Sequence, residues 1–165
     1  MRSGELSVVK SGELLEMDFP ARPPRRQSVP DRLAEAVNHP PVEVLGTDEK
    51  LLVALEDERA VRELRPDFAL LMRIERRATI VSAPGGRSDF VSRFFAPHLG
   101  ILEDPVTGSA HCVLIPYWAR RLGKRQLHAF QVSQRGGELF CEDRGDRVTI
   151  AGKAVLYLEG TVAIQ

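Results

Sequence analysis

The chain has 165 residues, 43% hydrophobic and 28% charged, which suits one ordinary globular core and excludes a disordered or membrane-spanning composition. Lys plus Arg and Asp plus Glu number 23 each, so no net field gathers nucleic acid or an anionic membrane, and a small-molecule ligand is expected. Cys112 and Cys141, in a chain with no signal-peptide pattern, predict reduced thiols in a cytoplasmic protein rather than a disulfide framework.

In chain order, Glu5 to Val9 and Glu13 to Phe19 alternate in strand fashion around Lys10-Ser11-Gly12, which predicts a hairpin or two sequential strands. The segment Ala21 to Ser28 is rich in Pro and Arg and reads as a linker that does not continue a sheet. Its arginines suit a solvated connection better than a phosphate site, because neither aromatic nor glycine partners stand nearby. A short helix is expected over 30–37 with Ser28 or Pro30 near its start, then strands over 42–45 and 51–55. Helical patches over 57–64 and 67–74 flank Pro66, and strands follow over 79–83 and 89–95. Beyond a longer helix, short strands are expected over 129–133, 138–142, 147–151 and 155–164, punctuated by Gly136-Gly137, Gly145 and Gly152. The class is α+β, with many strands and one buried helix.

That helix follows the stretch Glu103-Asp104-Pro105-Val106-Thr107-Gly108-Ser109-Ala110-His111. Ala110, Val113, Leu114, Tyr117, Trp118 and Leu122 recur at helical spacing, so the helix begins near Thr107 to Ser109, and Gly123 fits as its stop. Pro116 lies inside the run and is expected to remove a hydrogen bond and bend it. Gly108 and Ser109 let a ligand approach the backbone, and the first N–H groups of a helix suit a carboxylate or phosphate. Asp104 stands beside them as an acid or base. Spacing alone leaves open that Thr107 or Ser109 is only an N-cap and Asp104 only a turn residue.

Several blocks in order resemble the second half of the PhzF-like phenazine-biosynthesis isomerase family. They are Arg93-Phe94-Phe95-Ala96-Pro97, Gly100-Ile101, the stretch from Glu103 to His111, Pro116-Tyr117-Trp118-Ala119, Leu122-Gly123-Lys124 and Gln131-Val132-Ser133-Gln134-Arg135-Gly136-Gly137. The resemblance implies a diaminopimelate epimerase-like fold of two related lobes, each a β-barrel-like sheet around a central helix. Residues 107–122 would be the central helix of the second lobe. By the same resemblance, residues 1–20 are strands like those that end the first lobe, 21–29 a linker, and 30–165 the second lobe. The Gly-Asn-Pro segment, the proton-shuttling Glu and the His-Gly-His segment of the family's first lobe are absent from the sequence.

Carried over residue by residue, the resemblance implies Asp104 and Ser109 as catalytic residues, with Thr107, Gly108 and Ala110 binding the substrate carboxylate. The implied reaction moves a proton within a dihydro-hydroxyanthranilate-type acid. Glu103 is the second choice for the acidic role, although adjacent residues usually point apart. Where racemase relatives carry a thiol, this chain has Thr107, whose hydroxyl is too weak an acid to serve as a base near neutrality, so thiol racemisation is not expected. Cys112 and His111 read as packed helix residues before catalytic ones. His39, His98 and His128 are scattered without metal-ligand spacing, and neither metal nor cofactor is implied. Two readings follow. One is an isomerase that depends on a partner lobe, either sequence outside these 165 residues, a separate chain or a second copy in a homodimer; the other is a catalytically inactive lobe serving as a binding or assembly module.

Overall fold

The computed structural model describes residues 6–161. An outer hairpin, β1 (Ser7–Ser11) and β2 (Leu14–Pro20), turns at Gly12, whose φ of 61° favours a residue without a side chain. There follow β3 (Arg25–Arg26), α1 (Leu33–Val37), β4 (Glu43–Gly46), β5 (Lys50–Ala54), α2 (Glu58–Glu63) and α3 (Phe68–Leu71). Next come β6 (Ala78–Pro84), β7 (Phe90–Ala96), a 3₁₀ turn over Pro97–Leu99 and β8 (Ile101–Asp104). The chain then forms α4 (Gly108–Leu122), β9 (Gln126–Gln131), β10 (Gly137–Asp143) and β11 (Arg147–Gly152).

All eleven strands among the described residues join one sheet in the order β1-β2-β11-β10-β9-β7-β6-β5-β4-β3, with β8 paired to β7, and the fold is α+β. The sheet curls about α4. Residues of β4 to β7 and β9 to β11 share one core with the buried side of α4, which includes Val113, Leu114, Ile115 and Trp118. On β5, Leu52 and Ala54 face this core, whereas Leu51 and Val53 face a second core under α1, α2 and α3. Burial on both faces explains why β5 and β6 read as continuous apolar runs rather than alternating ones. Asp57 and Asp67 start α2 and α3 by accepting from the N–H groups of Ala60 and Leu70 at 2.8 and 3.0 Å. No helix among the described residues is long and apolar enough to cross a membrane.

Three local expectations change. Arg25 and Arg26 do join the sheet, as an edge strand on β4, because the two prolines before them need no ladder partner and the arginines can still pair. The short helix α1 starts later than expected, after Arg32 at φ 59°, and Ser28 and Pro30 lie outside it. The run 155–161 forms no strand. β11 is already flanked on both edges by β2 and β10, so its continuation past Gly152 meets no adjacent free edge; residues 162–164 of that expected strand lie outside the described residues.

Helix α4 continues through Pro116 to Gly123, which adopts a left-handed φ of 66° as its C-cap. Proline cannot donate to the carbonyl four residues back, that of Cys112. The backbone N–H of Arg22 donates to it instead at 2.8 Å, so the freed acceptor anchors the Pro- and Arg-rich segment to the central helix.

Candidate active site

Two strands share one edge of β7. β9 runs parallel to Phe90–Ser92 and β8 antiparallel to Phe94–Ala96, so the ends of β8 and β9 meet beside each other. The turn 105–107 leaves β8 at this junction and enters α4. Gln131, the last residue of β9 and 1% exposed, ties the junction together. Its Nε2 donates to the Asp104 carbonyl at 2.7 Å and to Thr107 Oγ1 at 3.1 Å, and its Oε1 accepts from the Thr107 N–H at 2.8 Å. The Thr107 hydroxyl in turn donates to Asp104 Oδ2 at 2.5 Å, a short charge-assisted contact that fixes the carboxylate.

The loop after β9 clamps the same turn. Ser133 Oγ donates to the Pro105 carbonyl at 2.7 Å and accepts from the Gly136 N–H at 3.0 Å. At Gly137 a β-carbon would collide with the Val106 side chain, so glycine there lets the turn lie directly on β10. Within α4, the carbonyl of Thr107 accepts from His111 Nδ1 at 2.8 Å. A carbonyl only accepts, so Nδ1 carries the proton and Nε2 is left buried without a partner among the described residues.

Asp104 Oδ1 and the Ser109 hydroxyl, by contrast, meet no protein group among the described residues, and Ser109 is exposed. The N–H groups of Gly108 and Ser109 are likewise unpaired, and the space where Gly108 would carry a β-carbon is open. Ala110 differs: its N–H returns to the Thr107 carbonyl at 3.2 Å and its methyl is buried in the core. Thr107 has both its N–H and its hydroxyl engaged and orients the turn. The free donors are therefore those of Gly108 and Ser109, at the positive end of a 15-residue helix, beside a carboxylate with one free oxygen.

Glu103 points away. It forms a two-pronged ion pair with Arg93 at 2.7 and 2.9 Å, and Arg93 also donates to the carbonyls of Val61 and Leu64, which ties β7 and β8 to the end of α2. Cys112 is buried, and desolvation raises its thiol pKa. Cys141, also buried, is pushed up to about 12, so neither thiol is poised to react near neutrality. Gln131 and Ser133 are the supporting residues that spacing did not single out. A signal was present: Leu127, Ala129 and Gln131 alternate inward along β9, and a glutamine in such a row needs buried polar partners.

The chain matches the phenazine biosynthesis-like protein family, PhzC-PhzF, over residues 4–160. It belongs to that family. An uncharacterized isomerase of Pseudomonas aeruginosa is 56% identical over 99% of this chain, and the match covers 62% of that relative. A PhzF family phenazine biosynthesis protein of Enterococcus faecalis superposes with a TM-score of 0.88 at 41% identity, covering 95% of this chain and 60% of that one. A PhzC/PhzF phenazine biosynthesis protein of Clostridium difficile gives a TM-score of 0.85 at 40% identity, covering 96% and 61%. The chain thus spans about 62% of the length of the Pseudomonas relative. Its sheet and central helix are the PhzF-like, diaminopimelate epimerase-like architecture, and the family blocks dispersed along the sequence converge on this turn: Gln131, Ser133 and Gly137 hold what Asp104 to Ser109 present.

His111 supplies a pH-dependent part of this fold's stability. Complete burial lowers its pKa from 6.5 to about 4, with the Thr107 carbonyl opposing that shift. Between those values the unfolded chain binds the proton that the folded chain refuses, so stability is full above pH 6.5 and falls as pH drops towards 4. The loss is on the order of 3 kcal/mol. In urea titrations the excess acid sensitivity of the natural chain over His111→Gln is expected in this window. Equal pH slopes for the two chains would show that the imidazole does not carry it.

Proposed function

We propose that the chain forms one wall of the cleft of a PhzF-like isomerase that moves a proton within a small carboxylate substrate, such as a dihydro-hydroxyanthranilate-type acid. The observation that carries this reading is the pairing of free donors with a fixed acid. The N–H groups of Gly108 and Ser109 and the Ser109 hydroxyl hold the substrate carboxylate, and Asp104, locked through Thr107 and Gln131, offers Oδ1 to a substrate amine or hydroxyl. A carboxylate so placed also raises the proton affinity of any second carboxylate brought across the cleft, which suits a proton carrier working near neutrality.

That carrier comes from a facing lobe. In this reading the facing lobe is a segment outside these 165 residues, on this or a separate polypeptide, with the Glu and His-Gly-His segments, or it is a second copy that completes a homodimeric cleft. Solvent deuterium incorporation into a dihydro-hydroxyanthranilate analogue tests both arrangements. No exchange by the chain alone, exchange on adding a facing lobe, and a loss of about 10²-fold or more in Asp104→Asn are expected. Exchange by the pure chain that depends on Asp104 would assign the carrier to the homodimer. Exchange indifferent to Asp104→Asn would overturn the role of this site, and no exchange under any pairing would leave the chain as a binding or assembly module.

A further inference from the structure

Away from the active-site end of α4, a pocket of about 580 Å³ opens between β3, β4 and the last turns of the helix. Arg25 and Arg26 reach it from β3, and Arg120 and Arg121 from α4, against the single carboxylate of Glu43. Glu43 is already committed: its Oε2 accepts from the Tyr117 hydroxyl at 3.0 Å and from Arg121 at 3.3 Å. Arg25, Arg26 and Arg120 have neither an ion pair nor a side-chain hydrogen bond among the described residues. Arg32, Arg59, Arg62 and Arg93, by contrast, each pair with a glutamate. Gathering unpaired guanidiniums at one concavity of a chain with zero net charge leaves a local positive field that an anion relieves.

The rest of the lining is apolar. Pro23, Pro24, Leu45 and Pro116 form walls, and the Tyr117 ring lies 5.9 Å from the Arg121 guanidinium. The C-terminal end of a helix repels anions, so binding here rests on the guanidinium forks, whose planar geometry matches phosphate oxygens two at a time. We propose that this pocket binds an organic phosphate carrying more than one negative charge and a ring-shaped apolar body. Its phosphates sit on Arg25, Arg26 and Arg120, and its ring lies against Tyr117 and Pro116. Gly108 and Arg120 are separated by roughly 18 Å along the helix, so this site is distinct from the carboxylate-holding N-terminus.

Isothermal titration calorimetry of the full chain with ADP, pyrophosphate and adenosine tests the proposal. ADP is expected to saturate one site with a Kd below about 1 mM, more tightly than pyrophosphate, while adenosine gives no binding. The Arg26→Ala/Arg120→Ala variant, altered only at exposed side chains, is expected to weaken ADP about tenfold or more, and Ser109→Ala to leave it unchanged. Raising salt from about 50 to about 200 mM is expected to weaken it too. Failure of ADP to saturate, equal affinity for pyrophosphate, or indifference to the arginine substitutions would each overturn the proposal. Loss of ADP binding in Ser109→Ala would move the anion to the other end of the helix and equally overturn it.

Discussion

Replacing Trp118 with alanine is expected to remove about 3–5 kcal/mol of stability, the largest effect of any single substitution considered for this chain. Trp118 is 1% exposed and lies between the sheet and the central helix. Its ring stacks on Phe90 at 5.6 Å with an interplanar angle of 4°, meets Tyr117 edge-on at 5.2 Å, and donates through Nε1 to Ser82 Oγ at 2.9 Å. Ser82 passes its own proton to the Val91 carbonyl at 2.7 Å, so one side chain bridges α4, β6 and β7. Alanine opens a cavity and deprives Ser82 of its donor. Because folded domains hold only about 5–15 kcal/mol in total, the variant is expected to sit close to its unfolding transition at room temperature. Trp118→Phe keeps the stacking and loses the hydrogen bond, for a smaller cost of about 1–2 kcal/mol. Urea titration followed by far-ultraviolet circular dichroism measures both, since the substitutions remove the only tryptophan. An alanine variant with an unchanged midpoint would show that the helix is not held by this residue.

Replacing Gln131 with leucine is expected to cost about 2–4 kcal/mol and, unlike the tryptophan substitution, to weaken the site along with the fold. Leucine fills a similar volume but leaves the Thr107 N–H and the Asp104 carbonyl without their partner at the junction of β8 and β9. The Thr107 hydroxyl then loses the group that orients it toward Asp104, and the amides of Gly108 and Ser109 lose their fixed position. A carboxylate ligand is expected to bind the variant about tenfold more weakly even at temperatures where the variant remains folded. Gln131→Glu gives a second readout. Burial and the neighbouring Asp104 push the new carboxyl above the ordinary range, so the stability of that variant relative to the natural chain is highest where the carboxyl is protonated and falls as pH rises through its titration. If Gln131→Leu lowered stability while leaving ligand binding intact, Gln131 would be a packing residue and not the positioning residue of this site.

The sequence by itself determined the elements whose signals are local. The apolar spacing of Ala110, Val113, Leu114, Tyr117, Trp118 and Leu122, closed by Gly123, defined a helix that the structure places at Gly108–Leu122. The family blocks likewise sufficed for the α+β, PhzF-like fold. What depends on neighbours far along the chain was decided only by the tertiary structure. The 155–161 run has strand composition but no free edge beside β11, and Arg25–Arg26 form a strand only because β4 offers one. Glu103 and Asp104 are adjacent and chemically alike; packing sends the first to Arg93 and leaves the second one free oxygen at the helix N-terminus. Gln131 stands 27 residues from the carbonyl it holds, and the site exists because β8 and β9 divide a single edge of β7. Local propensity fixes which residues form a helix or turn, whereas a buried polar group finds its partner only once the strands that carry both are side by side.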